Sequence, residues 1–144
     1  MTLKQLSVFL ENKPGRLSQP CKALAAAGIN ILTLSLADTE QFGILRVMVR
    51  EWEKAKAVLE KIGCVVNVSD VLAVEIPDRP GGMEAILSIL ETSAVNVEYM
   101  YAFTLKRGSN AVMIIRVDNP EQAAQALQQH GVALLDAAAF FRLA

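Results

Sequence analysis

The sequence has no excess of charge of either sign. Its 14 Lys and Arg residues balance 15 Asp and Glu residues, and the formal net charge of the 144-residue chain is −1. Binding of nucleic acid or of an anionic membrane depends on a concentrated basic surface. We therefore expect neither nucleic acid nor a membrane as a partner.

Long apolar runs are also lacking, although 53% of the residues are hydrophobic. No run approaches the roughly 18 residues of a membrane span, and the stretch 1–13 has no apolar segment followed by a small-residue cleavage site. The chain has two cysteines, Cys21 and Cys64, in unrelated contexts. We interpret both as small buried apolar residues in a reducing compartment, and we expect a cytoplasmic protein with a folded core.

Residue types that carry catalysis are sparse. His130 is the only histidine, and because it stands before Gly131 we expect it to end a helix rather than to activate a nucleophile. The sequence has neither a metal-ligand spacing nor a glycine-rich phosphate loop. The prediction is that the chain is not an enzyme, with no catalytic residue, metal or cofactor.

What the sequence does contain is an internal repeat. LENKPGRL at 10–17 and IPDRPGGM at 76–83 each place a Pro-Gly turn between a strand pattern and a helix pattern, at a spacing of 66 residues. The same spacing aligns Asn30 with Asn96. Beyond residues 105–110 the spacing becomes 68, which a two-residue insertion explains.

Each repeat predicts the order strand, helix, strand, strand, helix, strand, from period-2 alternation and 3.6-residue apolar stripes. The predicted fold class is therefore α+β, with two tandem ferredoxin-like βαββαβ modules of antiparallel sheets with helices on one face. Modules 1–69 and 70–144 meet where 64–69 closes the first sheet, Asp70 forms a bend, and 71–76 opens the second. An exchange of end strands between the modules stays open.

The repeated turn has a chemistry suited to a zwitterion. Asn12 ends a strand with an amide that donates and accepts, Pro14 fixes the backbone, and Gly15 permits close approach of a ligand. The next helix offers free N–H groups to a carboxylate. Asn30 enters the neighbouring strand, where we expect its amide to reach the same spot. The alternative is ordinary loop and capping chemistry without a ligand.

The run FLENKPGRLSQPCKALAAAGINI at 9–31 resembles the ACT domain, a small regulatory module that binds amino acids, and 75–97 resembles it more loosely. The resemblance covers nearly the whole chain and implies two tandem ACT modules that pair side by side, with the ligand at the interface between modules. The candidate ligand-binding residues are Asn12, Pro14, Gly15, Arg16, Leu17, Asn30, Ile31, Asp78, Gly81, Gly82, Met83 and Asn96.

Three positions depart from the ACT pattern. In the serine-binding ACT modules of phosphoglycerate dehydrogenases, a histidine stands where this chain has Leu10, which favours a ligand with an apolar side chain. In the second repeat, Asp78 replaces the first asparagine of the pattern and Ala94 replaces its glycine. We therefore expect the first repeat to bind an amino acid more tightly.

A row of aromatic residues marks the second repeat. Val97, Tyr99, Tyr101 and Phe103 alternate along one predicted strand, so we expect them to share a face. Three uses stay open for this row: an interface between subunits or modules, ordinary core, or stacking on a ligand.

The sequence thus predicts a non-catalytic regulatory protein. It is expected to form a homodimer, to bind a free amino acid at interfaces between ACT modules and to signal to an enzyme of amino-acid metabolism. The alternative is an accessory subunit that assembles with such an enzyme and whose ligand site is degenerate.

Overall fold

A computed structural model describes residues 1–103 and 108–143. The chain divides into two compact units, Lys4–Ser69 and Met1–Leu3 together with Asp70–Ala144. The predicted first module began at residue 1, whereas Met1–Leu3 group with the second unit. The predicted insertion at 105–110 lies partly outside the described residues, because residues 105–107 are not described.

The first unit contains the predicted helices and strands. They are β1 (Leu3–Glu11), α1 (Ser18–Ala26), β2 (Thr33–Asp38), β3 (Phe42–Met48), α2 (Trp52–Lys61) and the beginning of β4 (Val65–Pro77). The strand order is β2-β3-β1-β4, and β3 pairs antiparallel with β1 and β2. Leu24 of α1 and Leu59 of α2 pack with Leu6, Val8 and Leu45 of the sheet in one buried core. On the sheet face opposite the helices, Gln5 and Ser7 are buried, whereas Phe9 is 41% exposed.

The second unit repeats this arrangement and adds one short helix. After the rest of β4 come α3 (Gly82–Thr92), β5 (Val97–Ala102), β6 (Asn110–Val117), α4 (Pro120–Gln129), β7 (Leu134–Leu135) and α5 (Ala137–Phe141). The strand order is β5-β6-β4-β7. Leu90 of α3 and Leu127 of α4 pack with Leu72, Val74 and Ile115 of the sheet. The predicted ferredoxin-like α+β class is confirmed, while α5 was not predicted.

The two sheets share one pairing register, which confirms the duplication. In the first sheet Leu6 of β1 is opposite Val47 of β3, and in the second sheet Leu72 of β4 is opposite Ile115 of β6. The residue numbers differ by 66 on the first strand and by 68 on its partner. The same offsets relate the edge strands, where Leu36 opposite Leu45 becomes Ala102 opposite Met113.

The structure of β4 and β7 answers two questions about how the end strands are placed. β4 runs without a break from Val65 to Pro77, so the predicted bend at Asp70 is wrong. β7 pairs with β4 inside the second unit, with Ala73 opposite Leu135. The exchange of end strands that the sequence left open therefore does not occur for β7.

Val97 does not share a face with the three aromatic residues that follow it. A register shift between Val97 and Tyr99 turns Val97 toward the helix-covered core, so the expectation that Val97 shares a face with the rings is wrong. Phe103 is 6% exposed, and its ring centroid lies 5.1 Å from that of Phe140 in α5. Phe103 therefore belongs to the core of its own unit. For Tyr99 and Tyr101, which are half-buried, a role in an interface stays a prediction.

The ends of α4 follow the signals in the sequence. Asn119 Oδ1 accepts a hydrogen bond from the N–H of Gln122 at 3.1 Å, and Pro120 lies in the first turn. This is the expected N-terminal cap. His130 ends the helix, as predicted, with Nδ1 2.8 Å from the carbonyl oxygen of Ala126. No helix among the described residues is long and apolar enough to cross a membrane.

Candidate functional site

Both repeats build the Pro-Gly turn with the same backbone. Gly15 and Gly81 each have φ of 86°, a left-handed conformation that favours glycine. Three backbone hydrogen bonds recur at the 66-residue spacing. The first joins Lys13 N–H to Glu11 O in one turn and Arg79 N–H to Pro77 O in the other, both at 2.9 Å. The second joins Arg16 N–H to Lys13 O at 3.2 Å and Gly82 N–H to Arg79 O at 3.0 Å, and the third joins Gln19 N–H to Gly15 O at 3.2 Å and Ala85 N–H to Gly81 O at 3.0 Å. The chain therefore uses one turn twice.

The helices after the two turns begin without a side-chain cap. Leu17 precedes α1 and Gly81 precedes α3, and neither residue provides a capping hydrogen bond from its side chain. The first N–H groups of a helix have no acceptor within the helix and carry partial positive charge. Each turn thus leads into a helix start that suits an anion such as a carboxylate.

Charged side chains surround the first turn. Lys13 Nζ lies 2.9 Å from Glu11 Oε2, and an Arg16 guanidinium nitrogen lies 3.7 Å from Glu11 Oε1. The hydrogen bond from Lys13, followed by the charges of Lys13 and Arg16, lowers the pKa of Glu11 below its ordinary value. Glu11 is therefore ionised over the neutral pH range, and it forms exposed ion pairs with both cations.

A groove of about 250 Å³ opens beside this turn. Arg16 and Glu11 form its polar side, and Leu10 and Ile62 contribute to its apolar side. Arg16 was predicted from the sequence as a ligand-binding residue, whereas Ile62, which follows α2, was not. The signal that could have found it is the adjacent Gly63, which ends α2 and starts the connection toward β4.

Asn12 and Asn30 lie at opposite ends of the first sheet. Asn12 follows β1, and its backbone N–H and side-chain Nδ2 donate to the carbonyls of Gln41 at 2.9 Å and Glu40 at 3.4 Å in the β2–β3 connection. Asn30 precedes β2, at the end of the sheet where β3 finishes. Because β2 has 6 residues, at about 3.3 Å each, the two asparagines are roughly 20 Å apart. The expectation that both amides reach the same spot within one module is wrong.

The second unit has the same geometry. The N–H of Asp78 donates to the carbonyl of Ser109 at 3.3 Å, at the end of the sheet where β6 begins. The N–H of Asn96 donates to Asp118 Oδ1 at 3.0 Å, at the end where β6 finishes. Neither unit therefore brings its two candidate polar residues together.

Comparison with known proteins agrees with the repeated turn and the repeated sheet. A family model described as an ACT domain pair matches residues 1–142. The chain belongs to this family. A search of curated proteins gives no match.

Three solved structures are similar to this chain over most of their length. Protein BT0572 from Bacteroides thetaiotaomicron is 37% identical, with a TM-score of 0.91 over 99% of this chain and 98% of that protein. The regulatory subunit of aspartate kinase from Thermus thermophilus, in its ligand-free form, is 16% identical, with a TM-score of 0.64 over 88% of this chain and 91% of that one. The corresponding subunit from Thermus flavus is also 16% identical, with a TM-score of 0.61 over 88% and 90%. At 16% identity, the likeness to the two kinase subunits concerns the fold.

The candidate residues of this ACT pair divide by exposure. The side chains of Ile31 and Met83 pack against the cores of their units. Gly82 is buried, and a Cβ there would lie 2.1 Å from the carbonyl oxygen of Pro77. The equivalent residue of the first turn is Arg16, so only the second turn requires glycine at this position. The exposed candidates are Asn12, Pro14, Gly15, Arg16, Leu17, Asn30, Asp78, Gly81 and Asn96.

The two exposed turns of the ACT pair carry groups that can bind a ligand through hydrogen bonds. Among the described residues, no group of three or more His, Cys, Asp or Glu side chains could hold a metal ion. Cys21 and Cys64 are free and half-buried, and burial raises the pKa of the Cys64 thiol, which lowers its content of reactive thiolate. The exposed turns offer amide, guanidinium and backbone N–H groups, which recognise carboxylates and amines by hydrogen bonds.

Proposed function

We propose that this chain is a non-catalytic regulatory protein that binds a free amino acid between ACT modules and signals to a partner enzyme in the cytoplasm. The observation that carries the proposal is the turn repeated in both units, with Gly15 and Gly81 at the same φ and an uncapped helix start after each. The fold likeness to regulatory subunits of aspartate kinase supports a regulatory role over a catalytic one.

The positions of the two asparagines define what the site requires. Asn12 and Asn30 are separated by the length of β2, so a ligand that contacts both must take them from two modules. Two first modules, one from each of two copies, meet this condition if their β2 strands run antiparallel side by side. Asn30 of one copy then lies near the turn of the other. Such pairing uses β2 as an edge strand, which is its place in the strand order.

The two repeats differ in the charge that they offer to a zwitterion. The first has the neutral Asn12, whereas the second has Asp78 at the equivalent position. A carboxylate about 4 Å from a ligand charge contributes about 4 kcal/mol at an effective dielectric of 20, before desolvation. A ligand carboxylate at the helix start is repelled by Asp78 and not by Asn12. This difference favours the first repeat as the tighter site.

Thermal unfolding in the presence of each of the twenty amino acids tests the proposal. A ligand at 100 times its Kd adds about 2.7 kcal/mol to the free energy of unfolding, so one amino acid or a small related group should raise the midpoint. If none of the twenty raises it, amino-acid binding is refuted.

Calorimetric titration then tests the residues. Asn12→Ala and Asn30→Ala should each weaken binding by about 1–3 kcal/mol, because a buried polar group of the ligand loses its partner. Asp78→Ala is the matched control in the other repeat and should change the affinity less. Unchanged affinity in both Asn variants, together with a loss in Asp78→Ala, would assign the site to the second repeat.

A specific observation favours the alternative, an accessory subunit with a degenerate ligand site. Leu10 occupies the position of the family's polar ligand contact, and it packs in the hydrophobic core of the first unit. An accessory subunit should co-purify with its enzyme at any amino-acid concentration. It should also show no midpoint shift with any of the twenty amino acids.

A further inference from the structure

The second unit has a groove along α4, on a different part of the chain from both Pro-Gly turns. The volume of this groove is about 660 Å³, and all the described residues that line it belong to the second unit. From α4 the lining includes the exposed side chains of Glu121, Gln125 and Gln128. The rest of the lining includes Asp70 of β4 and Thr2, whose Oγ1 donates a hydrogen bond to Asp70 Oδ1 at 3.2 Å.

The lining of this groove is negatively charged and rich in hydrogen-bond acceptors. Among its described residues, Asp70 and Glu121 are charged, and none is Lys, Arg or His. Gln125 and Gln128 add two amide oxygens. Arg116 lies close to Asp70 but does not line the groove, and its Nη1 donates to the Asp70 carbonyl at 2.8 Å. A ligand that matches this lining is cationic and carries several N–H donors, whereas an anion would face two carboxylates.

The first repeat has lysines at two of the corresponding positions. Lys56 of α2 corresponds to Ala124 at the 68-residue spacing, and Lys4 of β1 corresponds to Asp70 at the 66-residue spacing. Lys56 Nζ lies 2.7 Å from Glu60 Oε1 on its own helix. In the second repeat the small Ala124 lines the groove instead. The two repeats share their backbone arrangement, so the backbone does not require the negative charge and the open space along α4.

We propose that the groove along α4 binds a linear aliphatic polyamine. Glu121 and Gln128 are two helical turns apart, so the α4 side of the groove extends for about 10 Å. The carboxylates of Asp70 and Glu121 accept hydrogen bonds from ammonium groups, the amide oxygens accept from further N–H groups, and Ala124 offers apolar contact to the methylene groups between them. A groove of this length exceeds a single metal ion, and no group of three or more His, Cys, Asp or Glu in the described part of the chain could hold one.

Calorimetric titration of the full chain with spermidine tests the proposal. Glu121→Gln and Asp70→Asn each remove one charge and keep the shape of the side chain. Each should weaken spermidine binding about 5-fold, which is the size of an exposed ion pair, and the double variant should weaken it about 25-fold if the two contacts are independent. Glu53→Gln is the matched control, because it is the same substitution at the position of the first repeat that corresponds to Glu121. It should change the affinity less than about 2-fold, since salt screens a distant exposed charge.

Three results would overturn the proposal. The first is no binding of spermidine to the unmodified chain up to about 5 mM. The second is an equal loss of affinity in Glu121→Gln and Glu53→Gln, which would show attraction to the overall charge of the chain. The third is displacement of spermidine by an equal concentration of magnesium chloride, because Mg²⁺ has the charge but not the N–H donors. Circular dichroism of each variant should match the unmodified chain, so that a loss of binding is not a loss of the fold.

The polyamine groove and the proposed amino-acid site are tested separately. Asn12→Ala should leave the affinity for spermidine unchanged, because Asn12 belongs to the first unit and does not line the groove. Glu121→Gln should leave unchanged any shift of the unfolding midpoint that an amino acid causes. A chain that binds spermidine and no amino acid, or an amino acid and no spermidine, therefore refutes one proposal and supports the other.

Discussion

Ala94 holds a backbone conformation that the first repeat gives to a glycine. Ala94 follows α3 with φ of 56°, and Gly28 follows α1 with φ of 72°. Equivalent hydrogen bonds close both helix ends. After α3, Ala94 N–H donates to Glu91 O and Val95 N–H to Leu90 O, both at 2.9 Å. After α1, Gly28 N–H donates to Ala25 O at 3.0 Å and Ile29 N–H to Leu24 O at 2.9 Å. The two helices therefore end in the same left-handed cap, and only the residue at its centre differs.

The size of the effect follows from two opposing terms. A left-handed conformation costs a residue with a Cβ about 1–2 kcal/mol. Replacing alanine by glycine forfeits about 0.4–1 kcal/mol, because the unfolded chain becomes more flexible. Ala94→Gly should therefore raise the free energy of unfolding by about 0.5–1 kcal/mol. Gly28→Ala should lower it by a similar amount, since a Cβ on Gly28 would meet no atom within 4 Å and adds no clash.

Urea and thermal unfolding followed by circular dichroism measure both changes. A change of 1 kcal/mol shifts the midpoint by about 4 °C for a chain of this size. Ala94→Ser is the control, because serine keeps a Cβ in the same conformation and should give no gain. A lower midpoint for Ala94→Gly, or an unchanged midpoint for Gly28→Ala, would refute the assignment of strain to this cap.

Three further changes are predicted from the turns and caps. Gly82→Ala should lower the free energy of unfolding in urea by about 3 kcal/mol, because the added Cβ would lie 2.1 Å from a backbone oxygen. In Gly81→Ala the added Cβ would have no atom within 4 Å, so the free energy of unfolding should fall by only about 1–2 kcal/mol. Glu51→Asn, which copies Asn119 into the uncapped start of α2, should raise the urea midpoint by an amount equivalent to about 0.5–1 kcal/mol, and a lowered midpoint would contradict it. The basic neighbours of Glu11 lower the pKa of its carboxyl. The contribution of this carboxylate to stability is therefore complete above the ordinary glutamate value of 4.5 and is lost as pH falls through the lowered value. In Glu11→Gln, the acid side of a plot of unfolding midpoint against pH should flatten, and an unchanged curve would contradict this prediction.

Much of the fold could be predicted because local patterns and the repeat agree. Apolar alternation and helical stripes predict the six elements of each repeat. Where the pattern of one repeat is less clear, its alignment with the other repeat assigns the element. The Asp70 bend was wrong because the chain on both sides of it has strand character, and nothing local shows that one strand passes through. The shift between Val97 and Tyr99 depends on the partner strand, which a single segment does not contain. α5 has 5 residues, too few for a helical period to show.

The candidate site was predictable only where the backbone requires a residue type. Gly15 and Gly81 were found because a turn with positive φ restricts the choice to glycine. The relative placement of Asn12 and Asn30 was not found, because adjacency of two strands does not say which ends meet. α1 carries the chain back along the sheet before β2 begins, so the residues that flank this helix lie at opposite ends. The groove residue Ile62 comes from another element and depends on tertiary packing.

The duplication itself separates the causes of residue choice. Gly15 and Gly81 occupy the same position, have the same φ and are the same residue, so the backbone explains them. Phe9 and Glu75 also occupy one register position on the same kind of strand, yet one is an exposed ring and the other accepts a hydrogen bond from Asn110. Backbone geometry cannot account for this difference, because it is shared. What differs is the environment of each sheet face, so the two repeats differ in the side chains of their surfaces rather than in the strand register that they share.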